Sequence, residues 1–285
     1  LACDARNPDA VDRLRRRKGR DAKPFALMVE DIAMARRYVE VSEAEARLLA
    51  SPAAPIVLLA HRRDGDALSA SIAPGMPRLG MMLPYTPLHH ILAATVARPL
   101  VMTSGNRASE PQVASNEQAR EHLAGIADAI LMHDRDIVNR LDDSIMRIDR
   151  SGPIILRRAR GFAPAPVRLA PTFDRTPTVL ALGGLLKATF CILRDGQATL
   201  SQHLGDLDEP ATYEDYHKAL TLYRDVFGVR ADAIAVDRSY LGELGIKGIG
   251  DSAQASLGRV KVRALTEGIR SFTQSPYVYT TPNAR

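Results

Sequence analysis

A cluster of cationic side chains near the start of this sequence is followed directly by an apolar segment. Lys18, Arg20 and Lys23 are the last cations of the cluster, and residues 25–29 have the composition of a buried strand. Because a strand fixes the backbone beside it, these three side chains should point toward one place. Convergent Lys and Arg side chains suit a triphosphate or another compact anion. A solvated basic helix face that ends at a strand is the alternative interpretation.

A second polar group follows a predicted strand at residues 100–102. The polar corner, as we call residues 103–106, contains Thr103, Ser104 and Asn106, with a glycine before the asparagine. It offers two hydroxyls, an amide and a flexible backbone, and such loops at the carboxyl ends of strands bind phosphates and sugars in α/β folds. An ordinary loop with polar caps explains the same residues equally well.

Short apolar segments alternate with helical patterns through the first half of the chain, which predicts an α/β fold. We expect Asn7 to cap the first helix and Gly19 to permit the turn after it. A single polar helix is predicted over residues 31–50, and another over 88–96 carries His89 and His90. The predicted strands are residues 25–29, 56–59, 79–83, 100–102, 129–132 and 154–156.

The second half begins after a proline-rich segment and has its own pattern. We predict a first domain over residues 1–168, a linker over 169–177 and a second domain over 178–241. The second domain has a hairpin turn at Asp195 and Gly196, a helix over residues 209–227 and a strand over 233–237. Two hairpin strands, a helix and a further strand are how half of an actin-like ATPase fold begins. Residues 242–285 show no clear pattern.

Composition limits the functional classes that the chain can represent. It has 285 residues, 46% hydrophobic and 25% charged, with a net charge of +5 that suits nucleotide or nucleic-acid ligands. No apolar run is long enough to cross a bilayer. The two cysteines, Cys3 and Cys191, are far apart, which favours a reducing, cytoplasmic location and argues against a zinc finger. Because the sequence opens without methionine, we expect a fragment of a longer protein.

Several motifs occur along the chain in a fixed order. They include RRRK (15–18), KPFALM (23–28), GMMLPYTPLHH (80–90), PLVMTSGN (99–106), DDS (142–144), LRRARG (156–161) and SQHLGD (201–206). By these motifs, residues 1–168 resemble a YrdC-type domain, and residues 178–237 resemble the start of the next domain in HypF, the carbamoyltransferase of hydrogenase maturation. The resemblance implies a YrdC-like twisted mixed sheet with flanking helices, followed by a partial actin-like (RNase H-like) unit.

The resemblance also implies a reaction. HypF-like proteins use carbamoyl phosphate and ATP to form carbamoyl-adenylate, then transfer the carbamoyl group to a C-terminal cysteine of a HypE-like partner protein. We therefore expect ATP and Mg²⁺ as cofactors, with zinc only in parts of the family protein outside this chain. A double-stranded RNA-binding module and an inactive truncated gene product are the alternatives. YrdC domains that make threonylcarbamoyl-adenylate usually carry an arginine near the position of Met82, and its absence, which is typical of HypF, argues against a role in tRNA modification.

Site residues are assigned by the same resemblance. Lys18, Arg20 and Lys23 are expected to be catalytic and to hold the phosphates and the carbamate. The nucleotide is expected to contact the polar corner from one side and a strand pair from the other. No metal site is predicted within the chain, since adjacent histidines on a helix point to different faces. The expected nucleotide-binding residues are Thr103, Ser104, Asn106, Ser144 and Arg157.

Overall fold

The computed structural model describes residues 1–108, 110–236, 261–263 and 278–280. The chain forms two compact units, Leu1–Phe162 and Ala163–Arg285. In the described residues, each unit contains its own seven-stranded sheet. Most of the predicted unpatterned segment, residues 242–285, lies outside the described residues.

The first unit is built on a mixed sheet with the strand order β1-β5-β2-β4-β3-β6-β7. Two neighbouring pairs, β2 with β4 and β3 with β6, are parallel, and the others are antiparallel. This arrangement confirms the predicted α/β class with a mixed sheet. The strands are β1 (Ala2–Asp4), β2 (Ala26–Met28), β3 (Ile56–Ala60), β4 (Arg78–Met82), β5 (Leu100–Met102), β6 (Ile145–Asp149) and β7 (Gly152–Arg157).

Five helices accompany this sheet in the described part of the unit. The first begins as predicted, because the Asn7 side chain accepts a hydrogen bond from the Ala10 N–H. It ends at Gly19, whose φ of 65° lies in the left-handed region that glycine adopts without strain. The helices are α1 (Pro8–Lys18), α2 (Ile32–Ala35), α3 (Glu43–Leu49), α4 (Pro87–Val96) and α5 (Asn116–Leu123).

The two faces of the first sheet have different surroundings. Alternate side chains, among them Leu27, Met81 and Val101, enter the main hydrophobic core of this unit. The opposite face carries a smaller apolar cluster centred on Met28 and Met82. Burial of one alternating set fixes the register, because a slip of one residue would move every core side chain to the other face.

Two predictions for the first unit were wrong. The helix predicted over residues 31–50 is interrupted, and α3 starts afresh at Ser42, which forms a capping box with Glu45. Residues 129–132 form no strand, and Leu131 is 77% exposed. A four-residue apolar run becomes a strand only where an open sheet edge offers backbone N–H and C=O groups for it to pair with. In the described first sheet, the edge positions belong to β1 and β7.

The second unit follows its predicted order of elements. The hairpin turns at Asp195 and Gly196, and Tyr216, Leu220 and Tyr223 are buried as predicted. Residues 167–168, which the prediction included in the first domain, form β8 and pair with β11 in the second sheet. The elements are β8 (Val167–Arg168), β9 (Val179–Ala181), β10 (Cys191–Arg194), β11 (Gln197–Leu200), α6 (Pro210–Val226), β12 (Ala233–Ala235), β13 (Lys261–Arg263) and β14 (Val278–Thr280).

The second sheet has the order β13-β14-β12-β9-β10-β11-β8, in which β12 and β9 run parallel and the other neighbours are antiparallel. Its principal core surrounds Phe190, which contacts the rings of Tyr216 and Tyr223 edge-on. Across the described residues, no helix is both long and apolar enough to cross a membrane.

Candidate nucleotide-binding site

The Lys18 side chain is buried against the polar corner. Its Nζ donates hydrogen bonds to the Ser104 carbonyl at 2.7 Å, the Asn106 carbonyl at 2.6 Å and the Asn106 Oδ1 at 2.7 Å. The lysine is 1% exposed, and its own carbonyl accepts from the Ala108 N–H at 2.9 Å. The structure therefore joins the end of α1 to the loop after β5 across 86 to 88 positions of chain.

The environment of Lys18 lowers the pKa of its ammonium group to about 8. Burial is the main cause, repulsion from Arg20 adds to it, and Glu110 opposes it. The three short hydrogen bonds to oxygen atoms also favour the charged form. Lys18 therefore remains mainly protonated at neutral pH and places a positive charge behind the corner.

Asn106 holds the polar corner together. Its Oδ1 accepts hydrogen bonds from both Lys18 and the Ser104 hydroxyl, the latter at 2.5 Å. Its Nδ2 donates to the Glu110 carbonyl. Thr103 is anchored through its backbone, because its N–H donates to the Leu1 carbonyl at 3.0 Å. The corner is thus fixed before any ligand arrives, which lowers the entropy cost of binding.

Arg20 lies on the loop that follows α1. Its guanidinium donates to the carbonyls of Lys23 and Pro24 at 3.1 and 2.7 Å. Burial lowers its pKa, and repulsion from Arg15 and Arg157 adds to the effect. Arg20 is therefore close enough to both Lys18 and Arg157 for their charges to interact. Lys23 is exposed, and the contacts that the structure shows for it are through its carbonyl.

Arg157, at the end of β7, is the predicted residue on the far side of the site. Its Nη1 lies 3.6 Å from an Asp142 carboxylate oxygen, and the Gln112 amide donates to the same carboxylate at 2.7 Å. Asp142 and Gln112 were not predicted as site residues. The signal for Asp142 was present in the DDS segment, but its contact with Arg157 depends on the pairing of β6 with β7.

Ser144 requires a correction. We expected its hydroxyl to contact the nucleotide, yet the residue is fully buried. The hydroxyl accepts from the Ala159 N–H at 2.8 Å and donates to the Arg160 carbonyl at 2.9 Å. Its hydrogen is already committed, and no part of its surface is accessible to a ligand. Ser144 instead holds the segment that directly follows Arg157, the last residue of β7.

A second cluster surrounds Tyr85 at the start of α4. The Arg160 guanidinium lies 3.4 Å from the Tyr85 ring centroid and pairs with Asp143 at 2.8 Å. Burial raises the pKa of Tyr85 to about 12 and lowers the pKa of His89, whose ring meets Tyr85 edge-on at 4.5 Å. The neighbouring His90 is exposed, so the two adjacent histidines do differ in environment.

Metal ligands and cavities add no further candidate centre. In the described residues, no group of three or more His, Cys, Asp or Glu side chains is placed to hold a metal ion. A cavity of about 150 Å³, lined by residues including Tyr38, Ser69 and Leu79, involves none of the predicted site residues. Among the described residues, the polar corner with Lys18 against it and Arg20 near Lys18 is therefore the arrangement that fits an anionic ligand best.

Comparison with protein families agrees with this fold. The family model for Sua5, YciO and YrdC proteins, described as telomere recombination, matches residues 1–159, and a model described as HypF Kae1-like domain matches residues 174–240. The chain belongs to the Sua5/YciO/YrdC family. The order of its two matched domains and its similarity to HypF relatives agree with the resemblance that the sequence motifs indicated.

The relatives show the extent of this similarity. Carbamoyltransferase HypF of Rhodobacter capsulatus is 52% identical over 237 residues, which are 83% of this chain and 31% of the relative. The crystal structure of full-length HypF in its phosphate- and nucleotide-bound form matches with 42% identity and a TM-score of 0.79, over 84% of this chain and 31% of that one. The HypF structure from T. kodakarensis has 36% identity and a TM-score of 0.78, with coverage of 83% and 31%. The chain thus spans about a third of the HypF proteins that it matches.

Proposed function

We propose that the first unit binds ATP and catalyses the formation of carbamoyl-adenylate. The observation that supports this most strongly is the triple hydrogen bond from Lys18 to the polar corner. It produces a rigid turn with a positive charge behind it, and Arg20 stands nearby. A HypF relative has been seen with phosphate and nucleotide bound, which is consistent with a nucleotide ligand for this chain.

The reaction creates charge where these cations lie. A carbamate oxygen forms a bond to the α-phosphorus of ATP, the bond from that phosphorus to the bridging oxygen breaks, and pyrophosphate leaves. Negative charge grows on the α-phosphate and on the leaving group. Arg20, Lys23 and Arg157 would stabilise that charge, and cations held in place beforehand do so without reorganisation. Mg²⁺ would enter as part of the MgATP substrate.

The polar corner would position the adenylate. The Ser104 hydroxyl, the Thr103 hydroxyl and the Asn106 amide are the polar side chains available for the ribose and α-phosphate. Lys18 uses its three hydrogens on the corner, so in this conformation it positions the corner rather than contacting phosphate. This differs from the direct phosphate contact that the sequence led us to expect.

The wider role follows from the family. HypF relatives are carbamoyltransferases, and the proposed adenylate would supply a carbamoyl group for transfer to the C-terminal cysteine of a HypE-like partner in nickel-iron hydrogenase maturation. Such a reaction belongs in the cytoplasm. The transfer step would require portions of the family protein beyond the described residues of this chain.

The test is carbamate-dependent exchange of labelled pyrophosphate into ATP by the 285-residue chain. Exchange that requires carbamate and Mg²⁺ is the expected result, because adenylate formation is reversible. Exchange no faster than the protein-free reaction would refute the proposal. Titration with double-stranded RNA at increasing salt tests the alternative, since RNA affinity falls steeply with ionic strength.

A further inference from the structure

Arg15 belongs to the last turn of α1, and its side chain extends into the loop that carries Arg20 and Lys23. The chain reverses at Gly19, and the following residues, 20–24, belong to no helix or strand. One Arg15 nitrogen, Nη1, donates to the carbonyls of Arg20, Asp21 and Lys23 at 2.6, 3.0 and 3.2 Å. The loop therefore wraps around this one guanidinium.

The other side of the same guanidinium is fixed to a separate turn. Nη2 and Nε donate to the Ser71 carbonyl at 2.6 and 3.1 Å, and Nη2 also reaches the Ile72 carbonyl at 3.4 Å. The Ile72 carbonyl in turn accepts from the Phe25 N–H at 2.9 Å. Arg15 thus bridges the cationic loop to a short turn more than fifty residues away, between β3 and β4.

Phe25 completes this arrangement. Its ring is 1% exposed, and its centroid lies 4.6 Å from the Arg15 guanidinium carbon and 5.2 Å from that of Arg20. Both cations thus share one aromatic ring. The contacts that fix Arg15 are to neutral carbonyls and this ring, so its positive charge is not cancelled by them.

We propose that Arg15 is a positioning residue for the anion site: it sets the backbone that places Arg20 and Lys23 for the nucleotide phosphates. This rests on the proposed function. The planar guanidinium can serve five carbonyls in two directions at once, whereas a lysine ammonium offers three hydrogens from a single atom. Charge at position 15 is therefore insufficient, and the guanidinium shape is required.

The experiment compares Arg15→Lys, Arg15→Ala and the control Arg16→Ala by calorimetric titration with MgATP. Arg16 is exposed on the same helix and has no role in the site. Arg15→Lys keeps the charge but should weaken MgATP affinity about tenfold to a hundredfold, which is the order of loss expected when binding groups are misplaced. Millimolar guanidinium should restore affinity to Arg15→Ala, while Arg16→Ala should bind as the wild type does.

Each outcome of these experiments supports or refutes the positioning role of Arg15. If the wild-type chain fails to bind MgATP, the proposed function and this inference both fall. If the wild type binds and Arg15→Lys binds equally well, the positioning role alone is refuted. Thermal melts and hydrogen exchange of residues 19–24 accompany the titrations, and faster exchange confined to that loop supports positioning. Unfolding of both Arg15 variants would assign Arg15 a general structural role and overturn the inference.

Discussion

Replacement of Lys18 by methionine tests the centre of the site. Methionine has similar length and no charge, so the change removes three hydrogen bonds of 2.6 to 2.7 Å and one buried cation with little change in volume. The Ser104 and Asn106 oxygens then lose their shared donor, and the corner can move. Because Lys18 positions the corner, its loss acts by misplacing the binding groups, and a displacement of about 1 Å can slow a reaction about 100-fold. Exchange should therefore slow by roughly 100-fold, which corresponds to about 2.7 kcal/mol in the transition state.

Stability should change less than activity. Three neutral oxygen acceptors lose their hydrogen-bond partner, which costs about 1 kcal/mol net for each bond. Removal of the buried ammonium group also removes its desolvation penalty, which offsets part of that loss. We therefore expect the free energy of unfolding to fall by about 1–3 kcal/mol. The assay is carbamate-dependent ATP–pyrophosphate exchange at several ATP concentrations, beside thermal melts and the Arg16→Ala control. A folded Lys18→Met chain that exchanges at the wild-type rate would refute the reasoning.

The remaining predictions concern stability, pH and the far side of the site. Ser144→Ala leaves the Ala159 N–H without its partner and should cost about 1–3 kcal/mol in urea titrations; no change would mean that water replaces the hydroxyl. Gly161→Ala should destabilise far more than Gly75→Ala, since both glycines have positive φ but only at Gly161 would a Cβ lie 2.5 Å from a backbone oxygen; equal melting temperatures would contradict this. The folded-state pKa of Lys18, about 8, lies below its ordinary 10.5, so the unfolded chain binds more protons between these values. The titration of Lys18 should therefore make the free energy of unfolding rise between about pH 8 and pH 10.5. This rise should be absent in Lys18→Met, and identical pH profiles of the two chains would disprove the prediction. Arg157→Ala should raise the KM for ATP in the exchange assay, and an unchanged KM would remove Arg157 from the phosphate site.

Local signals in the sequence predicted local structure well. Asn7 caps its helix, Gly19 ends it in the left-handed region, and the Asp195-Gly196 turn joins two paired strands. In each case a few neighbouring residues determine the outcome, because caps and tight turns depend on side chains and dihedral angles within one turn of chain.

Predictions that depended on tertiary contacts were less successful. Lys18 was expected to face phosphate, but its partners include two backbone carbonyls, whose directions no residue type specifies. The family resemblance placed Ser144 in the pocket, yet its hydroxyl is buried and bonds to the backbone of Ala159 and Arg160, after β7. Arg15 was counted only as one of several cations. Its contacts with a turn more than fifty residues away arise from the folded chain alone.

The most direct measurement of the central claim is a crystal structure of this chain with MgATP or a carbamoyl-adenylate analogue. We predict the α-phosphate against the polar corner, with the Ser104 or Asn106 side chain in hydrogen-bond distance and Arg20 and Arg157 facing the phosphates. A nucleotide that binds elsewhere and contacts neither the polar corner, residues 103–106, nor Lys18 would contradict the account.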